Sequence, residues 1–338
     1  MATEAELEEL LSRPLPADVA AMRALEGDLL ILGVSGKMGP SLARLARRAS
    51  DEAGTKRRIV GAARFSSREV RASLEQAGIE TVTCDLLDRA AVLGLPSLPN
   101  VIYMAGQKFG TSSDQATTWA VNVQAASFAA ERFAASRIVA FSTGNVYPLT
   151  PVASGGPREE GPTGPVGEYA QSTLGRERIL EYWSRRNGTR MAILRLNYAI
   201  EPRYGVLRDI ADKVARGEPV DLAMGYVNVI WQRDANSVAL RALGQCETPP
   251  LVLNLTGTTV LSVRDLATRL GARLGVPAHF TGAEKDTALL SNAARCAALF
   301  GEPATSLDTM LDGVADWVRD GGRALGKPTH FEEREGRF

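Results

Sequence analysis

The chain has 338 residues, with 39 basic and 39 acidic side chains and 45% hydrophobic residues. Balanced charge argues against bulk nucleic acid or an anionic membrane as a partner, and the hydrophobic content argues against disorder. The length suits two domains or one large one, and no apolar run reaches the roughly 18 residues of a membrane helix.

In chain order, residues 3–12 read as a short amphipathic helix that stops near Pro14 and Pro16, and 17–26 as a second. "MATEAELEELL" is acidic and lacks a basic region followed by an apolar one, so the expectation is no secretory signal and a cytoplasmic protein. "DLLILGVSG" is a compact apolar run ending in glycine, and "PSLARLARRAS" has helical periodicity. "RRIVGAAR" reads as a second buried strand, and "IETVTCDL", "NVIYMAG", "RIVAFSTGNVY" and "RMAILRLNY" as further strands, with helical segments between them. One of these, "TTWAVNVQAASFAAERFAAS", is expected as a single long helix, and "YAQSTLGRERILEYWSRRNG" as another. Strand–helix alternation with apolar strands predicts a doubly wound parallel α/β sheet of the Rossmann type, covered on both faces. The Pro/Gly-rich loop 155–167 precedes the second long helix and is expected to act as a lid or substrate-side loop.

Cys84, Cys246 and Cys296 form no CxxC, and the histidines are only His279 and His330, so reduced thiols and no metal site are expected. "GVSGKMG" sets Gly33, Gly36 and Gly39 between the first strand and the next helix. There Gly33 permits the tight turn and Gly36 a close approach to a pyrophosphate. Gly39 lets the helix pack on the sheet, and the helix N-terminus attracts the anion. Gly33, Ser35, Gly36, Lys37, Met38 and Gly39 are therefore candidate cofactor contacts. The second strand ends without an acid, in "GAARFSS". Arg64 there leans the choice between NAD and NADP toward NADP; its alternatives are solvation or stacking on the adenine. Asp85 and Leu86 suit the adenine edge; the alternative for Asp85 is to cap the next helix.

These motifs together resemble the extended short-chain dehydrogenase/reductases, the NAD(P)-dependent epimerase/dehydratase group, over about residues 28–320. "GVSGKMG" resembles TGxxGxxG with Leu32 in place of Thr, and "YMAG" resembles the small-residue turn beside the cofactor. The resemblance adds Met104, Ala105, Gly106 and Asn122 to the cofactor set. "FSTGNVY" places Thr143 at the Ser/Thr position with Ser142 beside it, and "EYAQSTLGRER" places Tyr169 at the catalytic tyrosine. It implies a smaller C-terminal α/β substrate domain and a homodimer through the two long helices. The expected division is an extension over 1–27, a dinucleotide-binding domain over 28–197 with 227–258, and a substrate domain over 198–226 with 259–325.

Family chemistry implies hydride transfer at a carbinol of a sugar, sugar acid or nucleotide sugar. Tyrosine is the acid/base, Thr143 orients the oxygen, and a lysine four residues past the tyrosine lowers its pKa. Thr173 stands at that lysine position. A phenol near pKa 10 needs a nearby cation to work as a base near neutrality. The sequence has 33 arginines but six lysines, and Lys108 in "YMAGQKFG" is the expected replacement. Its alternative is a solvated loop lysine, and Arg176 is expected to face solvent or a loop carboxylate. Gly144 and Asn145 replace the Asp-Glu pair of sugar 4,6-dehydratases, which argues against dehydration by that route. Asn145, Tyr198, Arg203, Trp231 and Gln232 are the candidate contacts to a small polyhydroxylated substrate. The alternatives are a non-catalytic NAD(P)-binding regulatory module and an isomerase or retro-aldol enzyme that recycles its cofactor.

Overall fold

The computed structural model describes residues 3–108, 110, 113–327 and 329–337. Seven strands form one sheet: β1 (Leu29–Leu32), β2 (Ile59–Ala63), β3 (Glu80–Thr83), β4 (Asn100–Tyr103), β5 (Arg137–Thr143), β6 (Met191–Leu196) and β7 (Leu251–Leu255). Every pairing is parallel and the order is β3-β2-β1-β4-β5-β6-β7. The order reverses between β1 and β4, where a doubly wound sheet opens a crevice at its carboxyl edge.

The run "LLIL" shows why both faces are covered. Side chains alternate across a strand, so Leu29 and Ile31 enter the core under α3 (Gly39–Glu52) while Leu30 and Leu32 enter the opposite one, with Ala126 and Phe133. All four leucine and isoleucine side chains of β1 are fully buried, as parallel strands between two helical layers require.

A third cluster belongs to the C-terminal half and includes Ile200, Val206, Leu222, Trp231, Leu290 and Met310. Leu7 and Leu11 of α1 (Glu4–Leu11) join it, whereas Met22 of α2 (Pro16–Ala24) joins the sheet core. Residues 3–24 therefore span both halves.

Two expectations need correction. The long helix after β4 is segmented: Gln115–Trp119 and Ala125–Arg132 are α-helical, and Ala120–Gln124 between them is a π-turn. Such turns insert a residue and re-aim side chains, often at functional sites; here the turn carries Asn122. The loop 155–167 is pinned rather than lid-like. The Glu159 carboxylate accepts the Asn254 N–H of β7 at 2.8 Å, and the Pro157 carbonyl accepts from the Asn254 side chain at 3.0 Å. Its residues line no part of the cavity described next.

Candidate active site

At the carboxyl edge, β1 runs into the glycine turn. Gly33 has φ +82°, and a Cβ there would stand 2.8 Å from the Ala105 nitrogen on the neighbouring β4 turn. A Cβ on Gly39 would stand 2.1 Å from the Val34 carbonyl oxygen, so glycine alone lets α3 start this close to the strand. Gly36 is exposed, and a Cβ there would meet only the Gly33 oxygen, at 3.3 Å. The turn thus leaves an open cradle at a helix N-terminus, which fits a dinucleotide pyrophosphate.

Beside it lies a cavity of about 250 Å³. Gly36, Lys37 and Met38 line it from the turn, Met104, Ala105, Gly106 and Lys108 from the end of β4, and Phe141, Ser142, Thr143 and Asn145 from the end of β5. Tyr169 and Arg176 come from helix Gly167–Asn187. Residues 196–199, Tyr204, Gly205 and Thr329 close it from the C-terminal half.

Tyr169 and Thr143 both line this cavity, and the Thr143 hydroxyl is near enough to act on the phenol. Burial pushes the phenol above the usual tyrosine range, while the Thr143 contact and then the Arg176 charge pull the other way. Thr173 does not supply that charge: its hydroxyl donates to the Tyr169 carbonyl at 2.8 Å, closed onto its own helix.

Arg176 corrects the expectation that it faces solvent. It is buried, and its guanidinium donates to the Asn122 carbonyl (2.9 Å), the Asn122 side-chain oxygen (2.6 Å) and the Phe141 carbonyl (3.0 Å). Gly106 allows this approach, since a Cβ there would lie 2.6 Å from a guanidinium nitrogen. Asn122 lies under the cavity wall. Its side chain pairs with both the N–H and the carbonyl of Gln107, at 2.9 and 3.0 Å, and donates to Ser172 at 2.9 Å. It fixes the turn that presents Lys108.

Lys108 lines the cavity and donates to the Thr329 carbonyl at 3.4 Å. Lys37 leaves the glycine turn and crosses to the other half, donating to the Ala199 carbonyl at 3.0 Å with its ammonium 3.7 Å from the centre of the Tyr204 ring. Burial pulls Lys37 down to about 7, opposed by the Glu201 carboxylate and reinforced by Lys108. Burial pulls Lys108 down to about 8, with Asp209 opposing. Tyr198, at φ +47°, and Tyr204 are pushed up by burial.

The other candidates are placed differently. Ser142 donates to Glu177, which pairs with Arg195 at 2.7 Å in a buried network that includes Tyr147. Trp231 belongs to the C-terminal core, and Gln232 donates to Ser41 at 3.0 Å; neither lines the cavity. Arg203 is held by Glu201 and Glu8, at 3.1 and 2.8 Å, and does not line it either. Arg64, just past β2, is exposed. Asp85 accepts the Leu87 N–H at 3.0 Å, and Asp88 rather than Asp85 caps the next helix. Ser35 is partly buried and Leu86 buried, both outside the cavity lining. Asn197, Tyr204 and Thr329 are lining residues the sequence did not single out. Among the described residues no cluster of His, Cys, Asp or Glu could hold a metal ion, and no helix is long and apolar enough to cross a membrane.

Residues 29–231 match the NAD dependent epimerase/dehydratase family. The chain belongs to that family. The fold of this epimerase/dehydratase is shared with UDP-glucuronic acid 4-epimerase from Bacillus cereus in complex with NAD, at 17% identity and TM-score 0.72 over 88% of this chain and 99% of that one. UDP-glucose 4-epimerase of Thermus thermophilus in complex with NAD matches at 18% identity and TM-score 0.71, over 87% and 99%. The Bordetella bronchiseptica enzyme WbmH in complex with NAD+ matches at 20% and 0.70, over 88% and 99%. No curated protein matches the chain in sequence.

Proposed function

We propose that this enzyme moves a hydride between NAD(P) and a carbinol of a sugar, sugar acid or nucleotide sugar, with Tyr169 as the acid/base. The observation that carries the reading is that Tyr169 and Thr143 share one cavity with Gly36 of the glycine cradle. The dinucleotide supplies hydride acceptance and return; Gly33, Gly36 and the N-terminus of α3 would hold its pyrophosphate. Thr143 positions the substrate oxygen and Tyr169 takes or returns its proton. With the dinucleotide bound, return of the hydride to the opposite face of the carbonyl would give an epimer, and release of the ketone would give net oxidation.

Arg176 takes over the electrostatic work of the missing lysine, favouring the phenolate from below the Gly106 turn. Arg64 supports a preference for NADP, and exposed Trp119, at the end of helix Gln115–Trp119, and Tyr182 of helix Gly167–Asn187 support a homodimer.

The test incubates the protein with NAD+ or NADP+ and UDP-glucose, UDP-glucuronate or free D-glucuronate, following both absorbance and the stereoisomers formed. Tyr169→Phe should cost roughly a hundredfold or more in turnover. Arg176→Met should move the acid limb of the kcat/KM profile to higher pH, and Arg176→Lys should restore part of it. Turnover that survives Tyr169→Phe would sink the acid/base assignment.

A further inference from the structure

The cavity is lined by three basic side chains, Lys37, Lys108 and Arg176, and by no Asp or Glu among the described residues. Arg176 belongs to the Tyr169 wall. The two lysines point elsewhere: Lys37 to Ala199 and Tyr204, Lys108 to Thr329. Both ammonium groups therefore lie on the wall supplied by the C-terminal half, away from the glycine cradle that suits the pyrophosphate. The direct contacts of Lys37 are uncharged, a carbonyl and an aromatic ring. The carboxylates that act on the amines at longer range, Glu201 and Asp209 on Lys37 and Asp209 on Lys108, do not line the cavity, so an anion inside it would be the nearest stabilising partner.

We propose that Lys37 and Lys108 bind an anionic group, a carboxylate or a phosphate monoester, carried by the polyhydroxylated substrate. The inference rests on the hydride-transfer reading only in placing the substrate in this cavity. Burial already pulls both amines toward neutrality. An arriving anion favours their charged forms, so binding takes up protons at pH 8.

The experiment is calorimetric titration of the protein, with and without NAD+, with D-glucuronate, D-glucose 6-phosphate and D-glucose, in buffers of different ionisation enthalpy. At least one anionic sugar should bind roughly tenfold or more tightly than glucose, as charged hydrogen bonds imply, with proton uptake. Whichever wins identifies the group. Lys37→Met and Lys108→Met should each remove most of the preference, and Lys37→Arg should keep it. Equal binding of all three sugars, a preference that survives both Met variants, or variants that weaken NADH instead of the sugar would overturn the proposal. A separate NADH fluorescence titration tests the redox reading: anion preference without NADH binding sinks that reading and leaves this one standing.

Discussion

Arg176 lies two turns past Tyr169 on one face of their helix, and that face is the reason it reaches the site. Side chains tilt toward the helix N-terminus, so a long guanidinium spans the gap that spacing of Cα atoms along the axis makes look too large. Periodicity shows the shared face, but not the glycine at 106 that clears the space. Thr143 and Tyr169 were legible because their motifs are local. Trp231 and Gln232 were misplaced because "NVIWQ" has the composition of a pocket wall while its fold position is core. Glu177 and Arg195 are 3% and 5% exposed and anchor Ser142 beside Thr143. Glu177→Ala strands a buried guanidinium and should cost about 3–5 kcal/mol in urea unfolding. The folded-state pKa of Lys37, about 7, lies below the ordinary lysine value, so the unfolded chain binds the extra proton between them. Ligand-free stability therefore rises with pH from about 7 toward about 10.4, and Lys37→Met should lack that part of the rise in a Tm-versus-pH series.

At the scale of elements, the sheet was legible and one helix was not. Continuous apolar runs between helical patterns leave few alternatives to a parallel sheet. A π-turn has no comparable signature, since "AVNVQ" suits an α-helix equally well. Its consequence is local: the extra residue turns Asn122 onto Gln107, and the Lys108 turn inherits its position from that contact. Asn122→Ala should speed hydrogen exchange at the Gln107 amide and leave the amides of β1 unchanged. The pinned loop 155–167 misled for a different reason. Its prolines and glycines signal irregular backbone, whereas its attachment to β7 comes from Glu159 and Asn254, which pair across distant sequence.

Across the whole molecule, both ends of the described chain tie the halves around the cavity. Glu8 joins Arg44 of α3 at 2.6 Å to Arg203 of the C-terminal half at 2.8 Å. Near the other end, Thr329 accepts from Lys108 of the β4 turn at 3.4 Å and donates its N–H to Asp209 at 2.8 Å, and Phe331 is fully buried in the C-terminal core. None of this was readable in advance, because residues past 325 carry no motif and their role comes from packing. Phe331→Ala should cost about 3–5 kcal/mol, seen as a lower Tm.

The cavity's one-sided charge also bears on the solvent. If Lys37 and Lys108 take the substrate's anion as proposed, that wall, with no carboxylate among the described lining residues, would also admit the small anions of a buffer. Phosphate and sulfate are then competitors rather than spectators, and the choice of salt becomes part of the chemistry of the site.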